Sequence, residues 1–254
     1  MAIKKPSYVL CAVIVSIGLL GAGYSIGRGM YMVKKMSRTA TVKGIAERDV
    51  KSDLGIWEIN YREIGNDLVQ LDQKLLHDQE VVVAFLKEQG FKDEEIGRAS
   101  LKVEDRLANV YQQNGQNSND QRYVVTGGTR VRSPQVELIA KTVNLTDKLI
   151  QAGVPLAFDV SAFSPNPSYY YMSLDSIRPE MMADATKSAR QVAEQFAKDS
   201  DCELAGIQRA SQGVFQIMSR DTSTMSSDWS SNDSALGSIY KKVRLVTTLD
   251  YRLK

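Results

Sequence analysis

The sequence predicts an α+β fold, in which a largely antiparallel sheet carries helices on one face and follows one N-terminal transmembrane helix. Three observations indicate this: an uncharged apolar run near the N-terminus, a hydrophobic period that switches between two and about 3.6, and turn-forming segments between successive strands. The 254 residues are 43% hydrophobic and 24% charged, which is typical of a folded protein. This composition excludes a disordered chain, a collagen-like repeat and a polytopic membrane protein.

The apolar run covers residues 8–27 and contains no charged residue. At about 1.5 Å per residue, a helix of this length spans a hydrocarbon core of about 30 Å. Lys4 and Lys5 before the run, and the small residues Ala22 and Gly23 near its end, are also features of a cleaved signal peptide, which stays open as the alternative. Because the run is longer than the apolar segment of most signal peptides and no clean A-x-A site follows it, we predict a retained anchor.

Four segments follow from this interpretation: a short tail of residues 1–7, an anchor of residues 8–30, a linker of residues 31–40 and an α+β domain of residues 41–254. Basic residues lie on both sides of the anchor, so charge alone does not decide its orientation. The short tail and the signal-like order of charge and apolar run place the domain outside the cytoplasm. We therefore expect a single-pass protein of the inner membrane, with its body in the periplasm or cell envelope.

The formal net charge of +2 conceals an uneven distribution along the chain. Six of the 32 basic residues and none of the 30 acidic residues lie in residues 1–38, so the remainder holds 26 basic against 30 acidic residues, a formal charge of −4. An acidic body without a basic cluster gains little from phosphate contacts, which supply most of the non-specific affinity for nucleic acids. We expect no nucleic-acid partner.

Cysteine and histidine are too scarce for most of the chemistry that they support. Cys11 lies in the apolar run and Cys202 lies far along the polar body, so we expect neither a disulfide between them nor a shared metal site. A Ser-His-acid triad or a zinc site with histidine would have to use His77, which we interpret as an exposed residue of a helix. The sequence predicts no catalytic or metal-binding residue and no cofactor.

The first half of the body alternates strands with a helix. Trp57, Ile59 and Tyr61 share one face of a strand, Asp67 is a candidate N-cap together with the residue before it, and Gly90 ends the helix. The apolar positions of the helix are Leu68, Leu71, Leu75, Val82 and Leu86, and those of the next strand are Leu101, Val103 and Leu107. The predicted elements are a strand at 54–64, a helix at 68–89, a strand at 99–111, a hairpin tip at 114–120 and a returning strand at 122–131.

The second half continues this alternation. Ser133 and Pro134 predict a helix start, as a capping hydroxyl and a proline at the first helical position. The apolar positions of this helix are Val136, Ile139, Ala140, Val143 and Ile150, and those of the next helix are Met181, Ala185, Ala189, Val192 and Phe196. The predicted elements are a helix from 134 to about 153, a strand at 156–163, a loop at 165–171, a helix at 177–199 and strands at 204–218 and 239–253.

Aromatic residues in two predicted loops are the candidate interaction residues. Tyr169, Tyr170 and Tyr171 form a run after a proline-rich stretch, and Trp229 lies in the serine-rich segment 219–238. Each has a plainer interpretation, in which the tyrosines lie half in the core and the tryptophan folds back onto the sheet. The aspartates of the serine-rich segment lack the spacing of an EF-hand calcium loop: Asp221, Asp228 and Asp233.

Four segments of the body carry a pattern found in one family: VKGIAERDVKSDLGIWEINY (42–61), LKEQGFKDEEI (86–96), IRPEMMADATKSARQVAEQFAKDSDCELAGIQRASQGVF (177–215) and IYKKVRLVTTLDYRL (239–253). Through them the chain resembles the SIMPL-domain family of bacterial envelope proteins, specifically its membrane-anchored branch. The resemblance implies a SIMPL-like α+β domain at 41–254, an envelope location, ring-like or channel-like homo-oligomers and a loose link to envelope or oxidative stress. It places no catalytic signature on these residues.

We therefore expect a non-enzymatic, membrane-anchored oligomer that acts as a scaffold or assembly module, with itself and the membrane, through residues 8–27, as partners. One alternative is a small-ligand or lipid-binding envelope module, with the tyrosine run and Trp229 lining a cleft. The other is an enzyme without a recognisable motif, built on neighbouring acids such as Glu47 with Asp49 or the run 93–95. Adjacent acids on a turn more often form a solvated surface, and no G-x-S-x-G motif surrounds a serine.

Overall fold

The computed structural model describes residues 6–36, 39–108, 121–157, 166–220 and 235–253. These residues form antiparallel strands and α-helices, which confirms the predicted α+β class, with the strands divided between two sheets. The elements are α1 (Pro6–Met36), β1 (Thr39–Lys51), β2 (Leu54–Gly65), α2 (Leu68–Glu88), β3 (Ile96–Arg98), β4 (Lys102–Asp105), β5 (Tyr123–Ser133), α3 (Val136–Val143), α4 (Asp147–Gln151), β6 (Ser168–Tyr170), α5 (Leu174–Asp199), β7 (Leu204–Gln212), β8 (Gln216–Ser219) and β9 (Tyr240–Leu253).

The chain divides into two compact units. The first unit comprises Met1–Ala46, Glu180–Phe215 and Leu245–Lys254, and the second comprises Glu47–Pro179 and Gln216–Arg244. The second unit contains a five-stranded sheet in the order β3-β5-β2-β6, in which β4 also pairs with β5. All these pairings are antiparallel.

Helix α2 covers one face of the sheet of the second unit. Trp57, Ile59 and Tyr61 of β2 are at most 4% exposed, as the two-residue period predicts. The carboxylate of Asp67 accepts hydrogen bonds from the N–H groups of residues 69 and 70, and Gly90 follows the helix with a φ of +101°, so both predicted boundaries are confirmed. The predicted core positions of α2 are buried with one exception, Leu68, which lies in the first turn and is 42% exposed.

The strand predicted at 99–111 is shorter than expected. β4 ends at Asp105 and pairs with β5, so the predicted antiparallel pair is confirmed, while residues 109–120, with the predicted hairpin tip, lie outside the described part of the chain. Of the three residues predicted on one side of this strand, Leu101 and Leu107 lie outside β4, and all three, with Val103, are about half exposed or more. Helix α2 lies on β2 and β5, and β4 lies beyond its reach at the edge of the sheet.

The single helix predicted after Ser133 is two short helices. The N-cap of α3 is Gln135, so Pro134 precedes the helix instead of opening it. The chain leaves the helix after Val143, where Thr146 Oγ1 donates to the carbonyl oxygen of Val143 (2.9 Å). Hydrogen bonds of this local kind compete with helix continuation.

The break between α3 and α4 also changes which side chain enters the core. Leu149 is 1% exposed and belongs to the core, whereas Ile150, which the uninterrupted spacing placed inside, is 60% exposed. A strand predicted at 156–163 appears only as one bridge between Leu156 and Tyr61, and residues 158–165 are not among those described.

The other sheet has the order β1-β9-β7, and β8 also pairs with β9. The first unit holds β1 up to Ala46, β9 from Leu245, and β7, with α5 against β1. The predicted inner face of α5 is correct for Met181, Ala185 and Ala189 but wrong for its C-terminal half. Val192 and Phe196 are 38% and 54% exposed, and the buried positions are Ala193 and Ala197. Helix α5 starts at Leu174, three residues before the predicted Ile177.

The start of α5 is held by Asp53 in the turn between β1 and β2. Its two carboxylate oxygens accept hydrogen bonds from the backbone N–H groups of Met172 (2.7 Å) and Ser173 (2.9 Å). Burial by itself raises the pKa of Asp53, but the hydrogen bonds from Ser173 and Met172 outweigh it and hold the pKa below the usual range. The aspartate is therefore charged at neutral pH and caps the chain entering the helix.

The last predicted strand is confirmed, and the one before it is divided. In β9, Val243, Leu245 and Leu249 are at most 2% exposed and alternate with more exposed residues. The strand predicted at 204–218 is two strands, β7 and β8, both paired with β9. They separate at Gly213, whose N–H donates to the carbonyl oxygen of Val246 (2.9 Å). A Cβ at position 213 would come within 2.5 Å of that oxygen, so the turn needs glycine.

Helix α1 extends the predicted anchor on its C-terminal side. It continues to Met36, and β1 starts at Thr39, so the described residues of the predicted linker 31–40 belong to a helix and a strand. Within the described chain, the segment Ala12–Met30 of α1 is long and apolar enough to cross a membrane, and it is not buried by the protein. By its length and composition, this helix near the N-terminus fits a membrane anchor or a signal sequence.

Candidate functional site

The tyrosine run is partly a core element. Tyr169 lies on β6 opposite Gly55 of β2 and is 4% exposed, and its ring lies 3.4 Å from where a Cβ at position 55 would stand, which is a van der Waals contact. Burial raises the pKa of the Tyr169 hydroxyl above its ordinary value. Tyr170 and Tyr171 are half-buried. Of the three, Tyr169 is the one whose ring a partner cannot reach.

The other predicted interaction residues lie where the structure gives no description. Trp229 and the three aspartates considered for calcium fall within residues 221–234, and the hairpin tip falls within residues 109–120. The predicted cleft lined by the tyrosines and Trp229 therefore lies partly outside the described residues. No group of three or more histidine, cysteine, aspartate or glutamate side chains with metal-binding geometry occurs in the described chain.

Three of the five acids considered for acid–base chemistry, Glu47, Asp93 and Glu95, take part in structural contacts. Glu47 lies 3.6 Å from Arg244 Nε and 3.8 Å from Lys242 Nζ, and Asp93 lies 2.5 Å from Lys87 Nζ. The two oxygens of the Glu95 carboxylate accept hydrogen bonds from Ser133 Oγ (2.6 Å) and from the backbone N–H of Lys92 (2.9 Å). His77, the residue that a Ser-His-acid triad or a histidine zinc site would have to use, is exposed on α2.

Asp78, next to the predicted exposed His77, is a buried acid that the sequence reasoning did not consider. It is 7% exposed, and its Oδ2 has no hydrogen-bond partner among the described residues. Burial, and then the charge of Glu63, raise the pKa of Asp78 above its ordinary value. The signal was present in the spacing, because position 78 lies three residues after Leu75 and four before Val82 on the apolar stripe.

A polar pocket lies beside the start of α3, and the sequence reasoning did not find it. It has a volume of about 580 Å³, and two segments of the second unit form its wall: the end of β1 with the residue that follows it, and the turn into α3. Pro134 bends the chain here, and Ser133 Oγ accepts a hydrogen bond from the N–H of Gln135 (3.0 Å). The lining residues are Lys51, Ser52, Pro134, Gln135, Val136, Glu137, Leu138 and Lys141. We call this site the α3 pocket.

The family to which the chain belongs is shown by its match to a family model. A family model described as "SIMPL: Protein of unknown function (DUF541)" matches residues 40–239. The chain belongs to the SIMPL family. A comparison with curated proteins finds no match. Since the description of the SIMPL family assigns no activity, the function has to be argued from the residues themselves.

The SIMPL match includes the α3 pocket and excludes both ends of the described chain. It begins one residue after the start of β1, so the apolar helix α1 precedes it, and it ends immediately before β9. Because β9 lies between β1 and β7 in their sheet, the folded body extends beyond the matched region of the SIMPL family.

Proposed function

We propose that this SIMPL protein is a non-enzymatic, membrane-anchored homo-oligomer of the cell envelope that serves as a scaffold or assembly module. The observation that carries the proposal is α1, whose apolar segment Ala12–Met30 is left unburied by the protein. An apolar surface of that length needs lipid, a translocation channel or other helices around it. In the proposal, the helix is retained in the inner membrane and the body lies in the periplasm, with a role in envelope or oxidative stress.

Assembly into oligomers is supported by the open edge of the first unit. β7 is a terminal strand of its sheet, and residues 206–212 are exposed. Terminal strands present unpaired N–H and C=O groups that readily pair with another chain. Two apolar side chains lie in or next to this strand, Ile207 at 42% and Val214 at 83% exposure. Most soluble oligomers are closed, symmetric homo-oligomers, and pairing of β7 with a second copy of the chain would cover this edge.

A non-enzymatic role is supported by the contacts of the acids. Three of the five candidates for acid–base chemistry, Glu47, Asp93 and Glu95, contact basic side chains, a serine and a backbone N–H. The alternative ligand-binding module lined by the tyrosine run is weakened by the position of Tyr169 in the core.

The test is the oligomeric state of the full-length protein in detergent micelles, measured by light scattering with the detergent mass subtracted. We expect a mass of several subunits for the wild type. Ile207→Lys places a charge on the exposed strand β7 and should shift the population toward monomers. Val69→Lys is the matched control, because Val69 is a 67% exposed residue of α2 and its substitution should leave the oligomer intact.

Two results would contradict the proposal. If the protein is a monomer at every concentration reached in detergent and in lipid nanodiscs, the proposed homo-oligomer is wrong. If Ile207→Lys and Val69→Lys change the measured mass equally, β7 is not the contact surface.

A further inference from the structure

The α3 pocket carries more positive than negative charge. Two lysines, Lys51 and Lys141, and one acid, Glu137, lie among its lining residues. Tyr240 is close enough to Lys51 to contribute to its raised pKa, and Arg220 lies 5.0 Å from the centre of the Tyr240 ring. This local excess of positive charge is unusual in a body whose formal charge is negative.

The acid in the pocket is held by one of the lysines. Glu137 Oε1 lies 2.6 Å from Lys51 Nζ, and both side chains are about half exposed. This hydrogen bond is the main reason why the pKa of Lys51 is raised and the pKa of Glu137 is lowered, so both groups are charged at neutral pH. Because exposed ion pairs contribute little net stability, the pair can open for a competing anion at low cost.

The first turn of α3 adds a partial positive charge. The N-cap residue Gln135 makes no side-chain hydrogen bond to the helix, so no side chain neutralises the free end in that way. The N–H groups of Val136, Leu138 and Ile139 already donate to the carbonyl oxygens of Pro134 and Gln135, so the attraction for an anion here comes mainly from the helix dipole. Glu137 in this turn is the negative group now nearest to it.

Ser52 supplies a second observation, independent of the helix. It lines the same pocket, it is 4% exposed, and its hydroxyl has no hydrogen-bond partner in the part of the chain that the structure describes. A buried hydroxyl without a partner is unfavourable, and a ligand oxygen or a water bridging to one removes that cost.

We propose that the α3 pocket binds a small soluble anion through a carboxylate or phosphate group, with Lys51 and Lys141 as the cationic contacts and Glu137 as the group that the anion displaces from Lys51. The volume of about 580 Å³ accommodates a ligand of metabolite size. In the unliganded protein Glu137 occupies the position of the ligand anion on Lys51. The site is distinct from the anchor and from β7, so it does not depend on the oligomer.

The test is isothermal titration calorimetry on the full-length protein in detergent micelles. Inorganic phosphate and succinate are titrated separately at constant ionic strength, with potassium chloride as the reference. We expect saturable binding of at least one of the two, and the one that binds identifies the favoured oxyanion.

Substitutions in the α3 pocket test which side chains contact the anion. Lys51→Met and Lys141→Met should each weaken binding about tenfold, because each removes a charged contact. Glu137→Gln should strengthen binding severalfold, because it removes the competing carboxylate while leaving the helix start in place. Lys87→Met is the matched control, since it breaks a similar exposed ion pair with Asp93 outside the pocket and should leave the affinity unchanged.

The proposal is overturned if neither anion gives more heat than potassium chloride, or if Glu137→Gln binds no more tightly than the wild type. The substituted side chains are all exposed, so each variant should unfold at about the temperature of the wild type. Thermal unfolding of each variant checks this and separates a loss of affinity from a loss of the fold.

Discussion

Lys241 places an ammonium group in the interior of the second unit. The residue is 2% exposed, and its Nζ donates hydrogen bonds to the carbonyl oxygens of Ala235 and Ser238, the latter at 3.0 Å. Burial lowers the pKa of Lys241 to about 8. The folded protein therefore holds this proton less tightly than the unfolded chain, in which the pKa is close to 10.5.

This difference predicts how stability depends on pH. Between about pH 8 and 10.5 the unfolded chain binds more protons at Lys241 than the folded protein, so this residue's contribution to stability rises with pH across that window. Relative to Lys241→Met, the wild type should gain roughly 1–3 kcal/mol in free energy of unfolding between pH 7.5 and 10.5. Urea denaturation at both pH values measures the free energy of unfolding, with Lys148→Met, a substitution of an exposed lysine, as the control. If the difference in free energy of unfolding between the wild type and Lys241→Met is the same at both pH values, the prediction is wrong.

Single residues were predicted well where residue type and spacing agreed. Trp57 and Val243 are apolar and fall on the predicted inner faces, and both are buried. Lys241 and Asp78 are charged residues that are buried, and the sequence analysis made no prediction for either of them. Burial of such groups depends on what the rest of the fold packs around them, which local sequence does not show.

At the scale of elements, the contact between β1 and α5 explains why the inner face of α5 was misplaced. A side chain at Gly44 of β1 would overlap the carbonyl oxygen of Ala185 and come within 2.8 Å of Ala189 Cβ. The strand therefore lies so close to the helix that alanine is the residue that fits. Ala193 and Ala197 continue the buried row, and the larger Val192 and Phe196 lie beside it.

The close contact predicts a steep penalty for a single methyl group. Gly44→Ala should lower the free energy of unfolding by about 3 kcal/mol, because the new Cβ meets the backbone of α5, which cannot move aside as a flexible side chain does. Gly206→Ala is the matched control in β7, where no atom lies within 4 Å of the added Cβ, and its effect should stay within about 0.5 kcal/mol. Thermal denaturation compares the stability of the two variants. If Gly44→Ala and Gly206→Ala are similarly stable, the close packing of β1 against α5 is contradicted.

Elements with local signals were predicted best. The boundaries of α2 came from the cap at Asp67 and the stop at Gly90, and β9 came from a long two-residue alternation. The divisions between α3 and α4 and between β7 and β8 depend on a local hydrogen bond by Thr146 and on the approach of Gly213 to Val246. The hydrogen bond of Thr146 interrupts a helical pattern of apolar residues that otherwise continues. The contact of Gly213 with Val246 joins residues that are distant in sequence. Neither division can therefore be predicted from the spacing of hydrophobic residues.

At the scale of the whole molecule, the sequence predicted the class but not the division into two units. Sheet membership depends on which strands pair, and β1 pairs with β9 across almost the full length of the chain. The α3 pocket was missed for the same reason, because Lys51 and Lys141 approach one another only after the sheet of the second unit has formed. The apolar helix, in contrast, was predictable from composition alone, since its length and lack of charge are properties of one continuous segment.

Retention of α1 is the prediction on which the proposed location depends. We expect membranes to hold the full-length chain after alkaline carbonate extraction and intact-mass measurement to show residues 1–38 still attached. Replacing Leu19 and Leu20 by arginine puts two charges at the middle of the apolar segment, at a cost of about 2.5–3.5 kcal/mol each, and should move the protein out of the membrane pellet. The same double substitution at Leu101 and Leu107, which are exposed in the body, should leave it there. A chain recovered in the soluble fraction with its N-terminus near Gly23 would instead identify α1 as a cleaved signal sequence, and the body would then act without a tether.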